Sequence, residues 1–538
     1  AWLESQGIHE VDEGLHDERS LARHATGLDR FVARLREYPL DRVAAITGVP
    51  AEEVRELARG YARTRPALLV AGFGLQRHHR AGQTMRAVAL LPALTGHVGV
   101  AGGGWQYANL ASHVVSDPPL PPEPAGVRRA FPVSRLGPAL VEIDAPPVRA
   151  AWIEKANPAS QNPHSSAVRR ALERLDLLVV VDQFLTETAK LAHYVLPAKT
   201  MFEEEDVCTA YWHPYLQRRA KILDPPGEVK TETEIWRGLA ERFGFDTRYL
   251  PAGDEAISRV LKGVLPRGIT LERLAGGPVI PDGVRDVAFD DFVFPTPSGR
   301  IEFASEEAAR LWGVDPVPDF APLDEGHESA IAARLPLQLL TCKTRDRIHS
   351  QFGTLDWVQA IERPHTLDIH PTDAAARGLA EGDLAAVWNA RGRIELPVRL
   401  DEGLRPGVVH VLEGRCHDGD PDVNVLTDSG VTDMNHGGTF YECLVQVGRS
   451  PSSSPNPSPD PNPSPDLTPT PGQSPAAAPL VGAGAAPKPR SQQASGTAAP
   501  DQRSQQGFSP ALQPPAPPAF LLDLGRCVGC SACVLACR

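Results

Sequence analysis

Four cysteines near the end of the chain have the residue type and the spacing to bind an iron-sulfur cluster. Cys527, Cys530, Cys533 and Cys537 follow the pattern C-x2-C-x2-C-x3-C within RCVGCSACVLACR. In proteins with this pattern, three thiolates bind one [4Fe-4S] cluster and the fourth binds a second cluster. A zinc site is the alternative, although zinc ligands usually come as two separated pairs. The spacing therefore predicts electron-transfer chemistry, with the remaining cluster ligands expected from further chain.

A second candidate site consists of polar and glycine residues that follow apolar strands. The segment GFGLQRHHRAG at 72–82 follows one such strand, and Asp182 ends another in VVVDQF. In α/β sheets, ligands bind at the carboxyl ends of strands, where glycines and helix N-termini receive phosphates. A plain turn and a solvated acid are the alternatives. The acidic run FEEED at 202–206 is expected to be a solvated face.

The elements that position these residues read as alternating strands and helices. A helix is predicted over 51–64, with Glu52 and Glu53 in its first turn. The segments VRAAWIEKANPAS, SAVRRALERL and DLLVVVDQF predict a strand, a helix and a second buried strand. Continuous apolar strands that alternate with helices indicate a doubly wound, parallel α/β domain.

The pattern changes after residue 336, where short strands are separated by turns. The segments LPLQLLTCK, TLDIHP, DLAAVWNARGRIELPVRL and GVVHVLEG predict a small β-barrel domain. Residues 449–518 are rich in Pro, Ser, Ala and Gln, a composition that cannot bury enough apolar surface to fold. This stretch is predicted to be a disordered linker that tethers the cysteine motif.

Composition excludes some classes of function. The chain has 538 residues and a net charge of -13 with no basic run, so no nucleic-acid partner is expected. The chain contains no stretch of about 18 apolar residues, the length that a membrane-spanning helix needs. The first methionine is Met85, so we expect the sequence to be a fragment that continues upstream of residue 1.

Several segments, in this order, resemble the large catalytic subunit of the molybdopterin (dimethyl sulfoxide reductase) family of oxidoreductases. They are VAGFGLQRHHRAGQTMRAVALLPALTGHVGVAGGG, WIEKANPASQNP, LLVVVDQFLTETAKLAHYVLPAKTMFEEED, TETEIWRGLAERFG and FPTPSGRIEF. Three later segments resemble that family's dinucleotide-binding barrel: LLTCKTRDRIHSQF, LDIHPTDAAARGLAEGDLAAVWNARGRIELPVRL and VNVLTDSGVTDMNHGGTFYECLVQV. The closing FLLDLGRCVGCSACVLACR resembles the start of the ferredoxin-like subunit that partners such enzymes.

The resemblance implies four regions and a cofactor. Residues 1–330 are the molybdopterin oxidoreductase α/β region without its N-terminal part, and residues 331–448 are the dinucleotide-binding barrel. Residues 449–518 are the linker, and 519–538 begin a 4Fe-4S ferredoxin-type domain. The implied cofactor is molybdenum, or tungsten, bound by two pterins as bis(molybdopterin guanine dinucleotide), and the implied metal ligand lies upstream of residue 1.

The resemblance also implies which residues touch that cofactor. Gly72, Gly74 and Gln76 line one pterin loop, Asn157 lines the next, and Asp182 and Glu234 bind guanine or ribose. The stretch from Thr341 to Ser350, with Lys343 and His349, wraps the other pterin and its diphosphate, assisted by Asn424 and Tyr441. Glu204 departs from the family, in which some members carry a lysine near the nucleotide.

The implied function is a respiratory-type oxidoreductase, working in anaerobic respiration on a small S-oxide, N-oxide or oxyanion. A formate dehydrogenase-like enzyme is one alternative, and a non-catalytic scaffold related to the large iron-sulfur subunit of respiratory complex I is another. The expected partners are a small-molecule substrate, the fused iron-sulfur module and a membrane anchor subunit. The expected location is a membrane-associated complex on its periplasmic or cytoplasmic face.

Overall fold

A computed structural model describes residues 12–107, 131–210, 213–250, 269–414 and 421–451. The cysteine motif and nearly all of the predicted linker lie outside these ranges. The described α-helices are α1 Glu18–His24, α2 Leu28–Leu35, α3 Leu40–Thr47, α4 Ala51–Arg63, α5 Ala81–Leu94, α6 Leu136–Glu142, α7 Pro158–Gln161, α8 Ser165–Glu173, α9 Glu232–Phe243, α10 Leu271–Ala275, α11 Glu306–Trp312, α12 Asp356–Ile361 and α13 Pro371–Ala375.

The described strands are interspersed with these helices in the first two thirds of the chain, whereas only α12 and α13 lie between the last six strands. They are β1 Ala25–Thr26, β2 Leu68–Val70, β3 Gly104–Gln106, β4 Ala150–Glu154, β5 Leu177–Asp182, β6 Tyr194–Pro197, β7 Asp206–Cys208, β8 Gln217–Arg219, β9 Ile301–Glu302, β10 Leu337–Cys342, β11 Leu367–Ile369, β12 Leu384–Trp388, β13 Arg393–Leu400, β14 Val408–Leu412 and β15 Leu444–Arg449. No helix in these ranges is long and apolar enough to cross a membrane.

The α/β region contains a three-stranded parallel sheet in the order β4-β5-β6. Its central strand, β5, buries four consecutive apolar residues, Leu178 to Val181, because both faces of the sheet are covered there. Helices α6 and α8 pack on one face through a cluster that includes Leu136, Val168 and Leu172. This confirms the parallel α/β architecture predicted from the sequence.

A second, two-stranded parallel sheet pairs β2 with β3, and the longest described helix, α5, lies between these two strands in the chain. Helix α4, which leads into this sheet, begins after Pro50 and carries Glu52 and Glu53 in its first turn. Acidic side chains in the first turn stabilise the helix because they lie at the positive end of its dipole. The helix predicted over 51–64 is therefore confirmed, one residue shorter than expected.

The amino-terminal helices form a separate core with α5 and the segment that contains β9. Phe31, Leu35, Leu94 and Phe303 are all buried in this core, and the rings of Phe31 and Phe303 lie 5.1 Å apart. The short parallel pairing of β1 with β9 joins chain segments about 275 residues apart. This core therefore packs the beginning of the α/β region against its end, the segment that precedes the barrel in the chain.

The barrel is closed, with strand order β10-β14-β11-β13-β12-β15. Side chains alternate along β10, with Leu337 and Leu339 pointing into the apolar core with Ile369, Val409 and Val411. Strands β12 and β13 form an antiparallel hairpin that turns at residues 389–392. A closed barrel leaves no free edge, so each strand end is fixed in place. The predicted β-barrel is confirmed.

A ladder of charged side chains crosses three adjacent barrel strands. Asp368 on β11 is 1% exposed and pairs in register with Arg399 on β13 and His410 on β14. Its carboxylate accepts hydrogen bonds from Arg399 at 2.8 Å and from Arg363 at 2.8 Å, and lies 2.7 Å from Nδ1 of His410. Burial alone raises the pKa of Asp368, but the hydrogen bonds from Arg399, His410 and Arg363 outweigh burial and hold that pKa well below its usual range.

We expect Asp368→Asn to lower the free energy of unfolding by about 3 kcal/mol at neutral pH, because it leaves buried cationic groups without their counter-charge. Since the folded pKa is depressed, the ionised form stabilises the fold above about pH 4, the unfolded value, and this contribution is lost as the pH falls further. Urea unfolding at pH 7 and below pH 4 measures both effects. Asp224→Asn, which breaks the exposed Lys221 pair, is the matched control. An equal effect of the two substitutions would contradict this assignment.

Candidate cofactor site

The turn that carries the predicted pterin-binding residues is supported by aromatic side chains. Gly72 precedes the short 3-10 helix Phe73–Gln76, and the side-chain oxygen of Gln76 accepts a hydrogen bond from the Tyr107 hydroxyl. The Tyr107 ring stacks on Trp105 with 5.4 Å between centroids and makes an edge contact with Phe73. Gln76 is therefore held in one orientation at the end of the β2–β3 sheet.

Carboxylates from the barrel domain take the backbone donors that follow this turn. Asp433 accepts hydrogen bonds from the N–H groups of Gly82 at 2.8 Å and Gln83 at 3.3 Å, so it caps the start of α5. Glu442 accepts from the N–H of His79. The sequence predicted that this helix N-terminus could receive a phosphate. The structure shows that the backbone N–H groups of His79, Gly82 and Gln83 instead donate to carboxylates of the barrel domain, and these bonds join the two domains.

We expect Asp433→Ala to lower the free energy of unfolding by about 1 to 2 kcal/mol, because the first turn of α5 loses its cap and the 77–83 turn loses its anchor. Asp433→Asn is the intermediate variant, because its single carbonyl oxygen can accept from only one of the two backbone N–H groups, and we expect it to lose less stability than Asp433→Ala. Hydrogen exchange at the Gly82 and Gln83 amides measures the loss directly. Unchanged protection in the alanine variant would show that the cap does not join the domains.

A second junction brings helix α7 against two loops of the barrel. The side-chain amide of Gln161 donates to the hydroxyl of Ser350 at 3.0 Å, and that of Asn424 donates to the carbonyl of Ser160 at 2.7 Å. Ser350 and Asn424 were both predicted to bind the cofactor, and Asn157 lies at the start of the same helix. The fold thus brings predicted residues from 157, 350 and 424 into one region.

Three predicted residues use their side chains within the α/β region. The Asn157 oxygen accepts from the backbone and the hydroxyl of Thr188 at 3.1 and 2.7 Å. Asp182 accepts from the two backbone N–H groups that follow it, at 2.7 and 3.3 Å. Glu234 completes the capping box of α9 and pairs with Lys199 at 2.8 Å. Their predicted cofactor contacts stay predictions, and each has a structural role as well.

Asp182 differs from Glu234 in its electrostatic setting. Burial raises the pKa of Asp182 above its ordinary value, against the opposing effect of the two backbone hydrogen bonds. For Glu234, burial is opposed by the hydrogen bonds from Lys199 and the helix cap, and the pKa is lowered. Of the two carboxylates, Asp182 therefore gains more from a new hydrogen-bond donor, such as the N–H groups of a base.

The acidic run at 202–206 is not the solvated face that the sequence predicted. Glu203 is buried, Glu204 pairs with Arg219 at 3.3 Å and Glu205 pairs with Arg218 at 2.7 Å. These arginines lie on β8, which pairs antiparallel with β7, the strand that begins at Asp206, the last residue of the run. The expectation is wrong because the β7–β8 hairpin places Arg218 and Arg219 beside the acidic residues.

The predicted diphosphate loop follows β10, and two of its predicted contacts lie side by side. The Lys343 ammonium is 3.1 Å from Nε2 of His349, and Nδ1 of His349 is 3.0 Å from a carboxylate oxygen of Glu413. Among the described residues, no carboxylate lies within ion-pair distance of Lys343 or of Arg345 in the same loop. The loop therefore offers two cations to an anion, which is the chemistry a diphosphate requires.

Arg347, which was not among the residues predicted from the sequence, stabilises the conformation of this loop. Its buried guanidinium donates to the carbonyl of His349 at 2.6 Å, to the carbonyl of Glu413 at 2.5 Å and to the carboxylate of Glu362 at 2.5 Å. The side chains of Arg347 and Glu362 are each 1% exposed. A single arginine thus fixes both sides of the His349–Glu413 contact.

Gly414 leaves the space that this arrangement needs. Its φ is +69°, and a Cβ atom there would lie 2.4 Å from the His349 carbonyl and 2.5 Å from the Arg347 guanidinium. Any larger residue would displace both groups. The absence of a side chain at this position is therefore part of how the loop is built.

The last two predicted residues occupy different settings. Thr341 is 3% exposed near the end of β10, paired in register with Val411. Tyr441 donates its backbone N–H to the carbonyl of Arg77 at 3.2 Å, in the junction that contains Asp433. Thr341 therefore belongs to the barrel wall, whereas Tyr441 touches the turn that carries Gln76.

Family models match both parts of the chain. Residues 10–242 match the model for molybdopterin oxidoreductase, and residues 337–444 match the molybdopterin dinucleotide binding domain. The second range coincides with the barrel from β10 to the start of β15. The two ranges thus contain both domains that meet at the junctions described above.

Curated relatives and a solved structure agree with these matches. A probable oxidoreductase, YoaE, of Bacillus subtilis is 33% identical over 448 residues, covering 81% of this chain and 64% of the relative. A dimethyl sulfoxide/trimethylamine N-oxide reductase of Cereibacter sphaeroides is 28% identical over 508 residues, covering 81% of this chain and 61% of the relative. Acetylene hydratase from Pelobacter acetylenicus has a similar fold, with a TM-score of 0.68, 21% identity, and coverage of 84% of this chain and 70% of that one.

The matches to both family models define a protein with a molybdopterin oxidoreductase domain and a molybdopterin dinucleotide binding domain. The chain belongs to the molybdopterin oxidoreductase family, as the sequence resemblance indicated, and its relatives include reductases of the dimethyl sulfoxide reductase type. It spans 61% to 65% of the length of the first curated relatives that it matches.

Proposed function

We propose that this chain is the cofactor-binding part of a molybdenum or tungsten bis(molybdopterin guanine dinucleotide) oxidoreductase. The reaction is a two-electron reduction or oxidation of a small S-oxide, N-oxide or oxyanion, in anaerobic respiration. The names of the dimethyl sulfoxide and trimethylamine N-oxide reductases support this substrate class. The observation that carries the proposal is the loop after β10, where Lys343 lies 3.1 Å from His349 and neither Lys343 nor Arg345 has a described carboxylate partner.

The residues of this loop fit the cofactor by their chemistry. Lys343 and Arg345 supply positive charge to a diphosphate, and Gly414 leaves room for the His349 carbonyl and the Arg347 guanidinium that shape the loop. Asp182 supplies a carboxylate to the N–H groups of guanine, and Gly72 and Gly74 allow close backbone approach. When bound, the cofactor supplies the redox chemistry, whereas the protein binds it, orients it and excludes water.

The two domain junctions support a cofactor shared between the α/β region and the barrel. Asp433 and Glu442 anchor the turn next to Gln76, and the Gln161–Ser350 hydrogen bond anchors the loop that carries His349. Loops held by such long-range bonds keep their positions before the cofactor arrives. Pre-organisation of this kind reduces the entropy lost on binding.

The proposal extends to electron transfer through iron-sulfur clusters. Cys527, Cys530, Cys533 and Cys537 have the ligand spacing of a [4Fe-4S] module. In the proposed arrangement this fused module accepts or donates single electrons, and a membrane anchor subunit connects the enzyme to the respiratory chain. The substrate itself is a small molecule bound at the metal.

Metal analysis of the natively expressed protein tests the proposal. We expect about one molybdenum or tungsten atom per chain, because the cofactor loops are those of a metal-pterin site. Iron without molybdenum or tungsten, after expression in cells that make the cofactor, would contradict the proposal. That result would instead favour a non-catalytic electron-transfer scaffold.

A further inference from the structure

Trp236 on α9 is a large aromatic side chain that the structure holds in one orientation at the end of the β4-β5-β6 sheet. Its indole N–H donates to a carboxylate oxygen of Glu154 at 3.3 Å, and the same oxygen accepts from the indole N–H of Trp152 at 3.1 Å. The rings of Trp152 and Trp236 lie 4.5 Å apart between centroids. One carboxylate thus fixes two indole rings beside each other.

The alternation of side chains along β4 places these groups on the face of the sheet that α9 contacts. Trp152 and Glu154 alternate with residues that pack with α6 and α8 on the opposite face. Glu154 is the last residue of β4 and pairs in register with Val181, the residue before Asp182 on β5. Trp236 therefore lies at the carboxyl end of the sheet, next to the strand that carries Asp182.

Two ion pairs fix α9 across the strand ends. Glu232 in the first turn of α9 pairs with Lys155, the residue after β4, at 3.4 Å. Glu234 accepts from the ammonium of Lys199, two residues after β6, at 2.8 Å. The carbonyl of Lys199 in turn accepts from the side chain of Gln183, the residue after β5, at 3.1 Å. The helix therefore lies across the end of the sheet at which α/β folds bind ligands.

The ring of Trp236 stays accessible in spite of these contacts, since the residue is 38% exposed. Its polar N–H edge is bound to Glu154, so the exposed part is apolar ring surface. Aromatic side chains of this kind stack on nucleic-acid bases, and the stacking tolerates different bases because every base has a planar π face. A fixed and exposed indole at the ligand-binding end of a sheet is thus suited to a planar base.

We propose that Trp236 is the stacking platform for a nucleotide base at this end of the sheet. The inference rests on the proposed function, since the base is the guanine whose N–H groups Asp182 is proposed to bind. The ring of Trp236 contributes affinity for any flat base, whereas the carboxylate of Asp182 distinguishes guanine by its edge. Affinity and selectivity are therefore carried by different residues.

Equilibrium dialysis of GMP and AMP against the full chain, produced in cells that do not make the cofactor, tests the platform. We expect Trp236→Leu to weaken the binding of both nucleotides by a similar factor, about 5- to 100-fold, because the ring stacks on either base. Asp182→Asn should weaken GMP more than AMP, because it alters the contact with the guanine edge. Trp357→Leu is the matched control, since Trp357 is 62% exposed on α12, and should leave both affinities unchanged.

Fluorescence gives a second measurement that does not depend on the leucine variant. GMP should quench the indole emission of the unaltered chain, because the base stacks on Trp236, whereas inorganic diphosphate, which has no base, should not. Trp236→Phe keeps an aromatic face. It should therefore lose this quenching but retain most of the affinity for GMP.

The outcomes separate the platform from the site that it serves. Equal affinity for GMP in Trp236→Leu and the unaltered chain, or quenching that persists in Trp236→Phe, would overturn the platform alone. Failure of the unaltered chain to bind GMP or AMP would overturn the proposed nucleotide site as well.

Discussion

Replacement of Lys343 by alanine is expected to leave the protein with one tenth or less of its normal molybdenum or tungsten content. The substitution removes a charge-assisted hydrogen bond to the proposed diphosphate, and such a bond contributes about 1.5 to 3 kcal/mol, a factor of about 10 to 150 in affinity. His349→Ala is expected to act in the same direction. Metal content and released nucleotide, measured on the purified variants, give the result.

Two controls separate a loss of binding from a loss of folding. Lys221→Ala removes a lysine whose described ion pair is with an exposed aspartate, and should leave metal content unchanged. Lys343→Arg keeps the positive charge and should retain part of the cofactor. Full metal content in Lys343→Ala, with a normal unfolding midpoint, would show that this loop is not part of the cofactor site.

Replacement of Arg347 by methionine is expected to lower the free energy of unfolding by about 3 to 5 kcal/mol. The substitution removes the guanidinium from the 1% exposed Glu362 and from the carbonyls of His349 and Glu413. The measurement is the urea midpoint of the variant. A loss below about 1 kcal/mol, typical of an exposed pair, would show that this buried pair is not needed for stability.

The double variant Arg347→Met/Glu362→Leu distinguishes stability from loop geometry. Replacing a buried ion pair by apolar residues is often neutral or stabilising, so the double variant should regain most of the lost stability. It should not regain affinity for diphosphate, because no guanidinium holds the carbonyls on either side of the His349–Glu413 contact. Recovery of both properties would mean that Arg347 acts only through the ion pair.

The fold could be predicted from the sequence wherever local pattern and burial agree. The run LLVVVD is apolar because β5 is covered on both faces, and alternating residues in LPLQLLTC reflect the closed barrel. These patterns are local, so a reader of the sequence can recognise them. The same is true of Thr231 and Glu234, whose spacing is that of a helix capping box.

The interactions that hold the site together could not be predicted in this way. Asp433 caps a helix about 350 residues away, and Arg347 finds Glu362 only because α12 folds back onto the loop. The acidic run at 202–206 was expected to be solvated because nothing local marks Arg218 and Arg219 as its partners. Long-range pairs of this kind depend on the tertiary fold and leave no periodic signal.

The most direct test of the central claim is the number of GMP molecules released when the natively expressed protein is hydrolysed in acid. Because we propose cofactor loops in both the α/β region and the barrel, we expect two GMP molecules per molybdenum or tungsten atom. Release of no GMP from metal-loaded protein would contradict the assignment of a bis(molybdopterin guanine dinucleotide) site.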